Sequence, residues 1–389
     1  MLAILFTFMS IQYLGVSIMK FSLSAFSILM LFSFLSYAET VNVYFGTSGK
    51  DGDGIYTAKF NTATGKLSKP VLAAKVRNSG FLAWSPDKSK LYSLAALEGG
   101  AGVVGYKVAE DGSLKEFTSS LINDGGGAHI SVHPSGKFLL TAQYGGGSVA
   151  FFPLNAAGEL GKSIIHEHEG GSKVVANRQD SPHPHWTGYS PDGKFAFVPD
   201  LGTDCIHIYK VNSENSGITK HGLAKSIPGG GPRHMRFSAD GKFIYLLNEL
   251  ALSVSTFKYN SATGEATLLT VEKALSEEVK AKETFNSSAE ILIHPNGKFV
   301  WSSNRGNDSI TAYKADPATG KLTFTESEHI RGAWPRNINI DPSAKWILAA
   351  GQHSNTISVF QINQENGELA YFSMNVVNVP GPLCIVFRK

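Results

Sequence analysis

Short stretches in which apolar and polar residues alternate recur along most of the chain, and each runs into a turn that contains glycine. Alternation with a period of two is typical of β-strands that bury one face. Seven such stretches, spaced about fifty residues apart, end at Gly65, Gly112, Gly158, Gly217, Gly264, Gly320 and Gly367. The pattern predicts seven similar β-units and little helix.

A second motif, a Pro-Asp-Gly type of turn between two strands, occurs six times. Its copies are SPDKSKLY from Ser85, HPSGKFLL from His133, SPDGKFAF from Ser190, SADGKFIY from Ser238, HPNGKFVW from His294 and DPSAKWIL from Asp341. Together the two motifs describe a unit of four antiparallel strands joined by short turns. Units of this kind arranged radially form a propeller. The sequence therefore predicts an all-β fold, a seven-bladed β-propeller of four-stranded antiparallel blades.

The two ends of the repeat region look like parts of one blade. Residues 382–387 resemble an inner strand without its partners, and residues 41–45 resemble a second strand without its first. Pairing of these segments would close the ring and leave no open sheet edge between them. We therefore expect the N- and C-terminal strands to share a blade in a propeller domain spanning residues 39–389.

Residues 1–38 are almost continuously apolar and differ from the rest of the chain. Lys20, the apolar run after it and the sequence Ser36-Tyr37-Ala38 match an export signal with a small-residue cleavage site, so that Met19 is a candidate start. This pattern predicts an exported protein, periplasmic or secreted, with no membrane association after cleavage. The alternative is an uncleaved N-terminal membrane anchor.

The composition limits the remaining possibilities. The chain has 389 residues, of which 42% are hydrophobic and 17% charged, with a net charge of +3. These values fit a large buried core, and without a basic run they give no support for a nucleic-acid partner. Export would permit a disulfide between Cys205 and Cys384, but a pair in strand-like segments is more typically two buried small hydrophobic residues.

Aligning the units places ionisable residues at one end of the blades. The residues just before the first strand and just after the second strand of each unit should meet around the central channel. These positions include His185, Arg233, His234, Glu290 and Arg336 on the first strands, and Asp200, Glu249 and Arg305 on the second. Three arginines and an imidazole facing one cavity favour an anionic ligand.

Four stretches resemble a known family. They are SPHPHWTGYSPDGKFAFVPDLGTD (181–204), PGGGPRHMRFSADGKFIYLLNEL (228–250), SAEILIHPNGKFVWSSNRGNDSI (288–310) and AWPRNINIDPSAKWILAAGQHSNTISVF (333–360). They resemble the seven-bladed propeller lactonases, the family of bacterial 6-phosphogluconolactonase and fungal carboxy-muconate cyclase. The resemblance implies catalytic roles for His185, Arg233, Glu249 and Arg305. We expect substrate binding by His183, Asp200, His234, Glu290 and Arg336.

The predicted activity is hydrolysis of a sugar-acid lactone without a cofactor. His185 or Glu249 would activate water, and the arginines would polarise the carbonyl group or bind an anionic group. Two alternatives remain: a muconate-type cycloisomerase at the same site, and a non-catalytic exported propeller that binds a sugar acid or a protein. His183 and His185, with His166 and His168 upstream, suggest metal ligands, but arginines at the same mouth disfavour a cation, and we expect no metal.

Two insertions lengthen the repeat. Residues 159–180 precede the SPHPH motif and are expected to form a solvated loop, or alternatively a lid over the pocket. The charged stretch at residues 277–282 is expected to lie on the surface.

Overall fold

The computed structural model describes residues 39–48, 52, 54–212 and 214–388. The predicted export signal, residues 1–38, lies outside the described residues. Within them the chain forms seven antiparallel sheets and one short helix, so the prediction of a seven-bladed β-propeller is confirmed.

The strands follow one another blade by blade. The terminal blade begins with β1 (Thr40–Thr47), β2 (Gly54–Asn61) and β3 (Val71–Lys75). The first blade contains β4 (Leu82–Trp84), β5 (Lys90–Leu97), β6 (Gly100–Val108) and β7 (Leu114–Leu121). The second contains β8 (Gly127–Val132), β9 (Phe138–Gln143), β10 (Ser148–Pro153) and β11 (Ile164–Glu167). The third contains β12 (Gly188–Tyr189), β13 (Phe195–Asp200), β14 (Cys205–Val211) and β15 (Ile218–Lys225).

The remaining blades have the same arrangement. The fourth contains β16 (Pro232–Phe237), β17 (Phe243–Asn248), β18 (Ser253–Tyr259) and β19 (Ala266–Lys273). Helix α1 (Glu277–Lys280) precedes the fifth blade, which contains β20 (Ser287–Ile293), β21 (Phe299–Arg305), β22 (Ser309–Ala315) and β23 (Leu322–His329). The sixth contains β24 (Pro335–Ile340), β25 (Trp346–Gly351), β26 (Thr356–Ile362), β27 (Leu369–Tyr371) and β28 (Val377–Asn378). Strand β29 (Pro382–Arg388) completes the terminal blade.

The two ends of the chain close the ring as predicted. Strand β1 lies between β29 and β2, and Val43 pairs with Phe387 on one side and with Ala58 on the other. Strand β29 is thus the inner strand of the blade and β1 its second strand. This pairing joins the sixth blade to the first through a sheet built from both ends of the chain.

The Pro-Asp-Gly motif is explained by its hydrogen bonds. In the third blade the Ser190 hydroxyl donates to Asp192 at 2.7 Å and accepts the Phe195 N–H at 3.0 Å, while Gly193 has a φ of 71°. A positive φ is accessible to glycine at little steric cost. The motif therefore caps the hairpin between the first two strands of a blade.

The glycine at the end of the outer turn serves packing between blades. A Cβ atom placed on Gly264 would lie 2.5 Å from the Phe195 ring of the preceding blade, and one on Gly367 would lie 2.5 Å from Phe299. The backbone in these turns also accepts hydrogen bonds across the blade boundary, as from Trp301 Nε1 to the Gly367 carbonyl at 2.9 Å. Glycine at this position thus allows these blades to approach their neighbours closely.

The hydrophobic core lies between the blades. Among the described residues, seven larger apolar clusters each join two neighbouring blades around the ring. Cys205 and Cys384 are both buried and free, in different blades, as expected of small hydrophobic residues. In the part of the chain that the structure covers, no helix is long and apolar enough to cross a membrane.

Candidate active site

A cavity of about 420 Å³ opens at the end of the blades where the inner strands begin. One wall carries the charged or polar side chains of His185, Arg233 and Arg336. The opposite wall consists mainly of small residues from the first two blades, together with Phe81, Leu94 and Leu383. The small residues are Gly80, Ala95, Ala96, Ala101, Gly102, Gly126, Gly127 and Ala128. The cavity therefore has a cationic side and a side that leaves room for a ligand.

The repeat alignment identifies much of this lining. Gly80, Ala128, His185, Arg233 and Arg336 occupy the same position in five different units, and all five line the cavity. The residue at that position in the fifth blade, Ala289, instead offers its backbone carbonyl to Arg233. The radial arrangement thus brings residues from five of the seven blades to one place.

Glu249 is the centre of the charged wall, by which we mean His185, Arg233 and Arg336 on the cavity surface together with the ion pairs behind them. Glu249 itself does not line the cavity, and it joins Arg233 to Arg178 and Arg305, which do not line it either. Its Oε2 atom accepts a hydrogen bond from Nε of Arg233 at 2.7 Å. Its Oε1 atom lies 2.8 Å from Nη2 of Arg178 and 3.2 Å from Nη2 of Arg305. Burial opposes ionisation, but the guanidinium groups of Arg305 and Arg233 hold the pKa of Glu249 well below its usual range. Glu249 is therefore an ionised carboxylate whose two oxygens are both occupied.

Arg233 and Arg305 are fixed in place by the backbone of the fifth blade. Arg233 donates from Nη1 to the Ala289 carbonyl, and Arg305 donates from Nη2 to the Ser288 carbonyl at 3.0 Å. Both side chains are almost fully buried. Burial and the nearby charge of Arg305 lower the pKa of Arg233 to about 9, so that it stays charged at neutral pH.

Arg336 is the cavity cation without a protein partner. Its guanidinium group makes no hydrogen bond or ion pair with any other residue that the structure describes, although the charges of Arg305 and Glu249 act on it. Burial and the charge of Arg305 lower the pKa of Arg336 to about 10, which still leaves the group protonated at neutral pH. A desolvated, unpaired guanidinium is stabilised by an anion or a strongly polar oxygen.

His185 lines the cavity as a neutral imidazole. The residue is 5% exposed, and its Nδ1 atom has no hydrogen-bond partner among the described residues. Burial, with the positive charge of Arg233 and the nearby His234, lowers the pKa of His185 well below the ordinary histidine value. A neutral imidazole has one unprotonated nitrogen that can accept a proton.

His234 and Glu290 form a second buried network beside the first. Nδ1 of His234 lies 3.1 Å from Oε1 of Glu290, which also accepts from Arg236 at 2.9 Å. The other oxygen of Glu290 accepts from Nδ2 of Asn337 at 2.7 Å, and the His234 ring lies 5.2 Å from that of His185. The network thus packs behind His185 and engages both oxygens of Glu290 within the protein.

Asp200 is turned away from the cavity. Its Oδ2 atom lies 2.6 Å from Nδ1 of His168, and its Oδ1 atom accepts the backbone N–H groups of His183, Gly202 and Thr203. The side chain is completely buried. The structure therefore places Asp200 where it holds the backbone that leads to His185 and does not line the cavity with the arginines.

His183 contacts Asp200 through its backbone and Tyr144 through its ring, and it does not line the cavity. Its ring stacks on Tyr144 with centroids 4.5 Å apart, and its Nδ1 atom lies 2.8 Å from the Tyr144 carbonyl oxygen. The Tyr144 ring in turn meets the edge of His185 at 5.5 Å. His183 thus supports the position of an aromatic residue that flanks His185.

Arg178 belongs to the charged wall but falls outside the two aligned positions of the repeat. It lies in the insertion at residues 159–180 and reaches Glu249 and the Tyr144 hydroxyl, at 2.8 and 3.3 Å. The insertion therefore contributes to the site instead of forming a plain solvated loop. The one available signal in the sequence was a basic residue just before the SPHPH motif.

The histidines expected as possible metal ligands are arranged differently from the sequence grouping. His168, Asp200 and His207 have ligand atoms within 4.8 Å of one another. However, the His168 and His207 rings are stacked almost parallel at 3.5 Å, and His168 uses its second nitrogen to contact the Tyr209 hydroxyl at 2.9 Å. Lone pairs of imidazole nitrogens lie in the ring plane, so parallel stacked rings do not direct them at one ion. The arrangement suits a hydrogen-bonded structural cluster.

Comparison with known proteins agrees with this architecture. The family model for a seven-bladed β-propeller lactonase matches residues 42–387. The chain is 32% identical to 6-phosphogluconolactonase of Bacillus subtilis, over 88% of this chain and 97% of that protein. It is 36% identical to 6-phosphogluconolactonase of Formosa agariphila, over 85% of this chain and 94% of that protein.

A solved structure has the same fold over nearly the same length. The periplasmic gluconolactonase of Pseudomonas aeruginosa superposes with a TM-score of 0.82 and 28% identity, covering 90% of this chain and 99% of that one. The extent of the family match, together with the identity and coverage of the two curated relatives, establishes the family. The chain belongs to the seven-bladed β-propeller lactonases.

Proposed function

We propose that this protein is a lactonase that hydrolyses a sugar-acid lactone, with His185 as the general base. The observation that carries the proposal is the cavity wall in which a neutral, unpaired imidazole stands beside two guanidinium groups. Ester hydrolysis needs a proton acceptor for water and positive charge near the carbonyl oxygen. Both are present on the same wall.

The contacts of Glu249 favour His185 over Glu249 as the general base. Three guanidinium groups occupy its oxygens, and its pKa is held far below neutrality, which makes the carboxylate a weak base. His185 has a free nitrogen and stays neutral. We therefore assign proton transfer to His185 and assign to Glu249 the positioning of Arg233 and Arg305.

The reaction proceeds through ordinary acyl chemistry. A water molecule gives a proton to the His185 imidazole as its oxygen bonds to the lactone carbonyl carbon, and Arg233 or Arg336 stabilises the negative charge that forms on the carbonyl oxygen. Collapse of this intermediate breaks the bond to the ring oxygen, which takes the proton back from His185. The products are the open hydroxy acid and the neutral imidazole.

The opposite wall supports a sugar-sized substrate. Its glycine and alanine residues leave the space between the first two blades and the arginines open, within a cavity of about 420 Å³. Ser48 and Asn78 are the polar side chains on that side of the lining. The wall therefore offers space for a hydroxylated ring, while charge recognition comes from the arginine side.

A panel of lactones tests the proposal. Protein beginning at Glu39 is assayed with gluconolactone, its 6-phosphate and a muconolactone, and spontaneous opening is subtracted. We expect at least one lactone to open above background and the His185→Ala variant to lose about 10²–10⁴-fold in rate. The matched control is His221→Ala, since His221 is exposed on β15 of the third blade.

The other outcomes separate the alternatives. Opening of no lactone, combined with a higher melting temperature in the presence of sugar acids, would contradict hydrolysis and identify a binding propeller. Ring closure of a muconate without opening of sugar lactones would identify the cycloisomerase.

We also propose that the protein is exported through cleavage after Ala38. The sequence pattern of residues 1–38 supports export, and the similar gluconolactonase of Pseudomonas aeruginosa is described as periplasmic. N-terminal sequencing of the protein from fractionated cells should find Glu39 as the first residue. Full-length protein retained in the membrane fraction would contradict cleavage and support the anchor.

A further inference from the structure

The loop that carries Arg178 is held in a defined position by the buried side chain of Gln179. The Gln179 side chain donates from Nε2 to the Leu201 carbonyl at 2.8 Å and to Asp204 at 2.6 Å, and its Oε1 accepts the Val175 N–H at 3.0 Å. Gln179 is completely buried. The residue next to Arg178 is therefore held at a defined position.

The same anchor reaches the segment before Arg233. Asp204 accepts the backbone N–H groups of Gly229 and Gly231 at 2.7 and 2.9 Å, in the loop that leads into β16. Gln179 and Asp204 thus tie the Arg178 loop to the backbone that positions Arg233. The geometry places Arg178 at the charged wall through buried contacts.

Arg178 differs from the other guanidinium groups that contact Glu249. Its side chain is 30% exposed, whereas those of Arg233 and Arg305 are 2% and 6% exposed. Those two also donate to main-chain carbonyls, while the second partner of Arg178 is the neutral Tyr144 hydroxyl. If Arg178 leaves Glu249, the carboxylate keeps Arg233 and Arg305. Arg178 is thus the guanidinium group that can change partner at the smallest cost.

The excess of positive charge around Glu249 favours binding of an additional anion by Arg178. Arg178, Arg233 and Arg305 contact one carboxylate, Glu249, whose charge also acts on Arg336, and Glu290 is engaged by Arg236, His234 and Asn337. The positive charge in the wall therefore exceeds the negative charge. Phosphate and carboxylate groups are the anions that guanidinium binds with two hydrogen bonds.

We propose that Arg178 is a specificity-determining residue that exchanges Glu249 for an anionic substituent of the substrate, a phosphate or a carboxylate remote from the lactone carbonyl. This inference rests on the proposed lactonase function and deepens it. Arg178 selects acidic lactones over neutral ones. His185 and Arg233 act on the carbonyl group in both classes of substrate.

The test compares charged and neutral lactones in matched variants. Rates for gluconolactone, its 6-phosphate and glucarolactone are measured with wild type, Arg178→Gln and Arg178→Lys, with Arg331→Gln as the control. Arg331 is a suitable control because it is an exposed arginine that pairs with Glu328 at 2.9 Å. The phosphate and the carboxylate substrates identify which anion the residue prefers.

We expect Arg178→Gln to reduce the ratio of kcat/KM for the acidic lactone to that for gluconolactone about tenfold, chiefly through KM. Arg178→Lys should restore part of the ratio, since it restores the charge. An equal fall for charged and neutral substrates, or a fall in kcat alone, would overturn the proposal and assign Arg178 a structural role.

Measuring the affinity for the reaction products by calorimetry tests the role of Arg178 independently of the lactonase activity. We expect wild type to bind 6-phosphogluconate or glucarate more tightly than gluconate, and Arg178→Gln to lose that preference. This result would hold even for a protein that opens no lactone, in which case only the proposed activity fails. Equal preference in wild type and variant would overturn the role of Arg178.

Discussion

Both walls of the cavity contain residues from one position of the repeat, and these residues differ almost completely in chemistry. In the third, fourth and sixth blades this position holds His185, Arg233 and Arg336, whereas in the first and second it holds Gly80 and Ala128. The backbone scaffold is shared, so the difference resides in the side chains. The comparison shows how a symmetric ring acquires a site with one reactive side and one open side.

Removal of the Glu249 carboxylate from the charged wall should have the largest effect of the changes considered, and it should act on the stability of the fold. Replacing Glu249 by alanine leaves Arg233 and Arg305 buried without their carboxylate, which costs about 3–5 kcal/mol in the free energy of unfolding. Urea unfolding measures this loss. The control is Glu278→Ala, because Glu278 is 86% exposed and pairs with Lys282 across solvent. A stability equal to wild type would show that the arginines do not depend on Glu249.

Acid should destabilise the folded protein through the buried histidines beside the cavity. Burial keeps His129, His185 and His234 neutral in the folded protein by lowering their pKa well below the ordinary value. The unfolded chain regains the ordinary histidine pKa of about 6.5, so that below this pH it binds protons that the folded chain does not. The free energy of unfolding should therefore fall as the pH drops below about 6.5.

Urea titrations at several pH values check this linkage. The slope of the free energy of unfolding against pH should decrease in His185→Ala by the equivalent of about one proton, because one buried neutral histidine has been removed. A free energy of unfolding that stays constant from about pH 7 to about pH 5 would contradict the prediction.

A larger side chain on the small-residue wall should have a smaller effect, which is confined to substrate binding. A Cβ atom on Gly126 meets no atom within 4 Å, and its φ is outside the left-handed region, so that Gly126→Val adds volume to the cavity lining without backbone strain. We expect a several-fold rise in KM for the preferred lactone and little change in stability. Gly222→Val is the matched control, since Gly222 has the same free space on an outer strand of the third blade. Equal KM values in the two variants would show that substrate does not use this wall.

The sequence predicts the ring because a strand ending at a turn glycine occurs in all seven units and the Pro-Asp-Gly type of turn occurs in six of them. It also predicts that His185, Arg233 and Arg336 share a cavity, since radial symmetry converts equal repeat positions into spatial neighbours. The repeat alignment does not predict the position of Arg178, because this residue lies in an insertion without an equivalent in other units. No repeat position could assign it a place.

Asp200 shows a second limit of predicting site residues from the repeat alignment, because side chains alternate in direction along a strand. It is equivalent to Asn248 and Asn304, whose amide groups donate to Ser253 and to Ser309 within their own blades. The residue one place later, Glu249 or Arg305, belongs to the charged wall. Adjacent positions at the end of the strand thus serve the blade and the site respectively. The alignment alone did not separate them.

The most direct test of the account is the pH dependence of kcat/KM for the preferred lactone, with wild type and His185→Ala measured side by side from about pH 5 to about pH 8. We predict that wild type stays active below the ordinary pKa of histidine, because burial lowers the pKa of His185 and keeps the base unprotonated. We also predict that His185→Ala has only a small residual rate throughout this range. A variant with the rate and pH profile of wild type would contradict the assignment of His185 as the base.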